Sequence, residues 1–172
     1  MVDPVRSRIR AWTLFFIVGL VLSGVTAIPI ATEVALGARV LGDDFSAGGR
    51  LPPGVSAWLR TVAGAVETTS RGQPLLFYGT DWLAFGHIAI AIAFVGALRD
   101  PVRNRWLYSF GMIACALVPV WAMVFGQIRG IPMWWRLIDS AFGIVGFVPM
   151  WVCRGWVDAL ERSYDPAGGN TA

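Results

Sequence analysis

Five ionisable side chains fall in or beside apolar runs: Glu33, Asp81, His87, Arg136 and Asp139. A charge at the centre of a membrane helix costs about 2.5–3.5 kcal/mol on insertion scales, so each such group needs a reason to be there. Carboxylates near a histidine are the groups that exchange protons around neutral pH. The same set can anchor the polar end of a lipophilic ligand, or clasp two helices together by hydrogen bonds. Arg136 and Asp139 are i, i+3 neighbours, with Ser140 and Gly143 on the same face. Such a stripe can point inward, because an Arg–Asp pair lowers the cost of burying either charge. Asp81 and His87 are about 120° apart on a helical wheel and do not face each other. His87, the chain's one histidine, and Asp139 each lie six residues past the outer end of their apolar runs, about 9 Å below the boundary, so a His87 facing that stripe could pair with Asp139.

These residues sit in a chain of 172 residues that is 56% hydrophobic and 15% charged, with nine tryptophans. Its mean hydropathy is +0.61. That composition belongs to an integral membrane protein rather than a water-soluble domain. Four runs are long enough for a bilayer core that needs about 20 helical residues. They cover approximately 11–32, 82–98, 106–125 and 133–152, the second being short. The expected fold is all-α: a polytopic integral membrane protein, a four-transmembrane-helix bundle over residues 1–164 forming a single domain. Residues 165–172 (DPAGGNTA) read as a disordered tail.

Orientation follows from the arginines, which supply all fourteen basic residues. Arg6, Arg8, Arg10, Arg99, Arg103, Arg105, Arg154 and Arg162 crowd the ends on one side, in short segments. The opposite side spreads Arg39, Arg50, Arg60, Arg71, Arg129 and Arg136 over a long connection and a hairpin. The positive-inside rule then puts both termini in the cytoplasm, in the plasma (inner) membrane, with the first run as an uncleaved anchor. Trp12, Trp106, Trp151 and Trp156 mark the inner interface, and Tyr78, Trp82, Trp134 and Trp135 the outer one. On this frame all five ionisable residues belong to the outer half. Asp81, after Thr80, reads as the N-terminus of the second span, and Glu33 as the outer end of the first.

The first connection opens with the turn-rich Gly42–Gly54 (GDDFSAGGRLPPG). Val55, Trp58, Leu59, Val62 and Val66 then recur at helical spacing, predicting a short amphipathic helix over about 55–67 on the outer leaflet. Gly86, Ala89, Ala93 and Ala97 form a narrow stripe of small residues on the second span, the face expected to meet a neighbouring helix. Pro29, Pro119 and Pro149 strip the carbonyls of Val25, Cys115 and Val145 of their helical donors. Carbonyls freed at membrane depth often border cavities.

One histidine and two distant cysteines make no familiar metal set, and no cofactor is indicated. Haem held by two histidines would require the second from a partner. The arginines are not gathered on one polar face, so the expected partner is the lipid bilayer and not nucleic acid. Phosphate-binding loops, G-x-S-x-G and H-E-x-x-H do not occur.

Four spans, a long first connection, Glu33 after the IPI of Ile28 to Ile30 and His87 in the second span give a layout similar to the EXPERA group. That group comprises sterol isomerase-like and sigma-2 receptor-like membrane proteins. The resemblance implies a sterol-like ligand among the helices, with His87 and Glu33 near its polar end. Taken together, the residues point to a small integral membrane protein that binds a small lipophilic molecule or a partner subunit, or forms a homo-oligomer. The outer-leaflet cluster of His87, Asp139, Arg136, Glu33 and Asp81 would carry the binding. Two other readings stay open: a purely structural accessory subunit, and an intramembrane enzyme acting on a lipid or sterol-like substrate with His87 and the acids as acid/base groups. The balance leans away from an enzyme, and no residue is assigned as catalytic.

Overall fold

A computed structural model describes residues 4–40 and 51–164. The tail and most of the turn-rich GDDFSAGGRLPPG piece lie outside them. Six helices run in order: α1 (Pro4–Ala27), α2 (Ile30–Val40), α3 (Pro53–Gly72), α4 (Pro74–Arg99), α5 (Arg105–Ile128) and α6 (Met133–Tyr164). The protein is all-α. Four of these helices, α1, α4, α5 and α6, are long and apolar enough to cross a membrane.

The boundaries differ from the sequence reading in informative ways. α1 stops at Ala27, and the chain turns at Ile28–Pro29 before α2 begins. Pro29 therefore ends a helix instead of kinking one, and its own carbonyl accepts the Glu33 N–H at 2.9 Å to start the next. α4 opens at Pro74, eight residues before Trp82, because proline suits the first helical position and Leu75–Tyr78 continues the apolar run. The second span is thus not short. α3 covers 20 residues and begins at Pro53, longer than the expected 55–67. α6 covers 32 residues, about 48 Å at 1.5 Å per residue, so it outruns a bilayer core of roughly 30 Å.

Two compact units divide the chain, one of Met1–Gly19 with Ile90–Ala172, the other of Leu20–Ala89. The first is dominated by the α5–α6 hairpin. Gly130 takes φ 67° at the turn, with Ile131 N–H bonded to Gly126 O at 2.8 Å and Gly130 N–H to Gln127 O at 3.2 Å. These two bonds close a helix C-terminus that requires a left-handed residue, which glycine supplies at least cost. Along α6, Arg136, Gly143, Met150 and Val157 recur every seven residues, interleaved with Gly146, Cys153 and Leu160, and all but the half-buried Gly146 are buried. A seven-residue period makes a continuous seam against one neighbour. α5 meets it with Tyr108, Gly111, Cys115 and Gly126, again buried.

Glycines let the two backbones close. A Cβ built on Gly143 would stand 2.5 Å from the Cys115 carbonyl oxygen and 2.9 Å from Pro119 Cδ and Val118 Cβ. One on Gly146 would stand 2.7 Å from Cys115 Sγ, and one on Gly111 2.9 Å from Met150 Cγ. The carbonyl that Pro119 leaves without a donor is therefore covered by the Gly143 backbone. It borders packed helix.

Ile9, Phe94, Ala97, Leu107, Tyr108, Met150, Cys153, Val157 and Leu160 form the core of this unit. Within it, Thr13 Oγ1 donates to Ile9 O at 2.7 Å and lies 2.9 Å from the Tyr108 hydroxyl. Both side chains are fully buried, so this pair is a polar clasp between α1 and α5. Where α6 extends towards Tyr164, Arg154 Nε donates to Ser109 Oγ at 3.1 Å and its guanidinium pairs with Asp158, while Arg105 pairs with Glu161.

In the second unit the close approach is made by Gly24 of α1. A Cβ there would meet Ala84 O of α4 at 3.0 Å and His87 Cβ at 3.1 Å. α2 and α3 border a cleft of about 600 Å³ lined by Ala31, Ala35, Ala63, Val66, Glu67 and Arg71 among others.

Candidate functional site

Each expected polar residue has a definite place on its own helix. Glu33 lies in the first turn of α2, exposed, beyond the break at Pro29. It does not end the first span. Asp81 is exposed in the interior of α4, seven residues after Pro74, so it caps no helix. Thr80 is no cap either, since its hydroxyl donates back to Phe77 O at 2.6 Å.

His87 lies in the second unit, half-buried on the α4 face that Gly24 approaches. Its Nδ1 is 2.8 Å from the Leu83 carbonyl. A carbonyl oxygen only accepts, so Nδ1 carries the proton and Nε2 of the neutral ring is an acceptor. Because α4 starts at Pro74, His87 is thirteen residues into its helix whereas Asp139 is six into α6. Equal depth for the two therefore does not follow from the helix starts.

Arg136 and Asp139 share α6 in the first unit. Arg136 is 9% exposed, with its Nη1 donating to Gln127 Oε1 at 2.9 Å. Its aliphatic stem lies against Gly126, where a Cβ would come within 2.6 Å of Cγ. Ser140 Oγ donates to the Arg136 carbonyl at 2.7 Å. The guanidinium is thus turned along the seam to α5, and no ion pair joins it to Asp139. The i, i+3 pair of the sequence reading is corrected by the glycine on the facing helix, which gives the long side chain a bed on α5.

Asp139 is half-buried and, among the described residues of its own unit, has no hydrogen-bond partner. It lines a shallow groove of about 410 Å³ with Ala114, Leu117, Val118, Trp121 and Ala122 of α5. Trp121 is 66% exposed and tilted against Phe125 at a ring separation of 4.4 Å. Chemically the groove is an apolar trough with one carboxylate on its wall. A carboxylate there can accept hydrogen bonds, balance a cation, or exchange a proton with something that enters.

The Thr13–Tyr108 clasp escaped sequence reasoning, although a signal existed. Thr13 follows Trp12, Tyr108 lies two residues after Trp106, and the buried Cys153 two after Trp151, three tryptophans assigned to one interface on sequence grounds. Among the described residues, no three His, Cys, Asp or Glu side chains converge as metal ligands. No family model, curated protein or solved structure matches the chain.

Proposed function

We propose that the protein is a multi-pass subunit of the plasma (inner) membrane, with both termini cytoplasmic, that binds a partner membrane protein through the α5–α6 face around Asp139. The observation that carries this reading is the Asp139 carboxylate on an apolar groove, unpartnered among the described residues of its unit. Charged groups inside spans pair with something, because the hydrocarbon offers them nothing. The arginine asymmetry and the aromatic belts support the orientation. A photo-crosslinking residue placed at Leu117 or Trp121 in living cells tests the reading. Both positions should give the same polypeptide adduct, while the exposed Ile92 of α4 should not; adducts to lipid alone at all three would refute it.

A second reading has a specific observation in its favour. A groove of about 410 Å³ falls in the size range of small-molecule sites, roughly 300–1,000 Å³, so a lipophilic molecule anchored on Asp139 is the competing occupant. Its polar end would lie on the carboxylate and its apolar body along Leu117 and Trp121.

A further inference from the structure

We infer that the occupant of the α5–α6 groove is a transmembrane helix of a different chain that presents a basic side chain to Asp139; this rests on the partner-binding reading above. The groove has the form of a helix seat. Ala114, Val118 and Ala122 recur every four residues on α5, giving a floor about 12 Å long, slightly over two helical turns. Rows at four-residue spacing are the grooves into which another helix lays its ridge, and alanines let its backbone approach. Leu117 and Trp121 stand beside that floor, 54% and 66% exposed. The trough is shallow, whereas compact ligands are recognised in concavities that cover most of their surface.

The chemistry selects the charge. An ionised carboxylate only accepts hydrogen bonds, so its complement is a donor, and in a low dielectric the best donor carries a positive charge. Arg136, the cation nearest along α6, does not serve: no ion pair joins it to Asp139, its Nη1 is on Gln127 and its stem is bedded on Gly126. Within the outer half of its spans a second copy of this chain offers Arg136, engaged in the same way, and His87, whose Nδ1 is held by Leu83, while Arg129 stands beyond the end of α5. The balancing cation therefore comes from another chain, as a lysine or arginine within its span.

The test uses the full protein in phosphatidylcholine nanodiscs, labelled through Ile128→Cys at the exposed end of α5. Three Leu/Ala host helices are titrated by energy transfer, identical except for Lys, Leu or Glu at the central position. The Lys helix should associate at least about tenfold more tightly than the Leu helix, ~1.4 kcal/mol, and Asp139→Asn should erase the difference. Equal affinity of the Lys and Leu helices, or a Lys preference that survives Asp139→Asn, overturns the charge inference. If both still lose affinity in Val118→Trp, the seat stands without its charge. If neither responds to Val118→Trp, the partner-binding reading of this face fails with it. Energy transfer between two copies without any peptide, lost in Asp139→Asn, makes a second copy the occupant and also overturns the proposal.

Discussion

Replacing Gly143 with alanine adds one methyl group at the tightest point of the α5–α6 seam. That carbon would lie 2.5 Å from the Cys115 carbonyl oxygen and 2.9 Å from Pro119 Cδ and Val118 Cβ. Reaching an ordinary separation of about 3.5 Å requires the backbones to part by about 1 Å locally. None of the three obstacles is a flexible side-chain end: one is a main-chain oxygen, one a ring carbon, one a β-branched Cβ. Over-packing of this kind costs typically 1–3 kcal/mol. Alanine returns about 0.8–1.0 kcal/mol of helix propensity relative to glycine. The net loss should be about 1–2 kcal/mol, towards the upper part of that difference because parting the helices also uncovers the Cys115 carbonyl. Gly86→Ala is the control, since a Cβ there meets nothing within 4 Å. It should be neutral or stabilising by up to about 1 kcal/mol. Reversible unfolding of both variants in the same detergent micelles measures the two signs. Gly143→Ala as stable as the parent, or less harmful than Gly86→Ala, would refute the packing described for the hairpin.

Other consequences attach to single contacts. Thr13→Val should cost more than Tyr108→Phe, because it leaves the buried Tyr108 hydroxyl without its partner while the reverse change leaves Thr13 bonded to Ile9. Each loss should be near the ~0.6 kcal/mol average for interhelical hydrogen bonds in membranes, up to ~1.7, and the double variant should cost less than the sum. Gly130→Ala should destabilise the hairpin by about 1–2 kcal/mol through its left-handed backbone, with Gly130→Asn milder. Nitrogen-15 NMR of His87 should show Nδ1 protonated and Nε2 bare in the neutral ring; the opposite tautomer would contradict the bond to Leu83.

How much of the molecule is legible in its sequence depends on the scale of the feature. The four spans come straight from composition, since twenty apolar residues in a row have few other uses. Their ends are harder. Thr80–Asp81 looks like a helix start, and only the continuity of Leu75–Tyr78 with the apolar run from Trp82 shows otherwise. The packing face of α4 departs in part from expectation for a related reason: of the stripe Gly86, Ala89, Ala93 and Ala97, Ala97 is buried, yet Ala89 and Ala93 are exposed and a Cβ on Gly86 would have no near neighbour. Ala84, Ala91 and Phe94 are the buried set, together with Ala97. The glycine that permits the α1–α4 approach is Gly24, on the facing helix. A small residue signals contact only where the opposing surface fits it, and one helix's wheel cannot show that. Asp139 is recognisable as a charge inside a span, but its supposed partner is not. Arg136 is long enough to choose between Asp139 on its own helix and Gln127 across the hairpin, and Gly126 decides the choice.

The central claim is that Asp139 on the α5–α6 groove holds a partner polypeptide. Native mass spectrometry of the protein extracted from its own membrane in lipid nanodiscs, alongside Asp139→Asn, tests it most directly. The account predicts a stoichiometric second polypeptide on the parent protein that is absent from Asp139→Asn, with both proteins folded. The same mass for both, or a small lipophilic adduct lost in the variant with no polypeptide present, would contradict it.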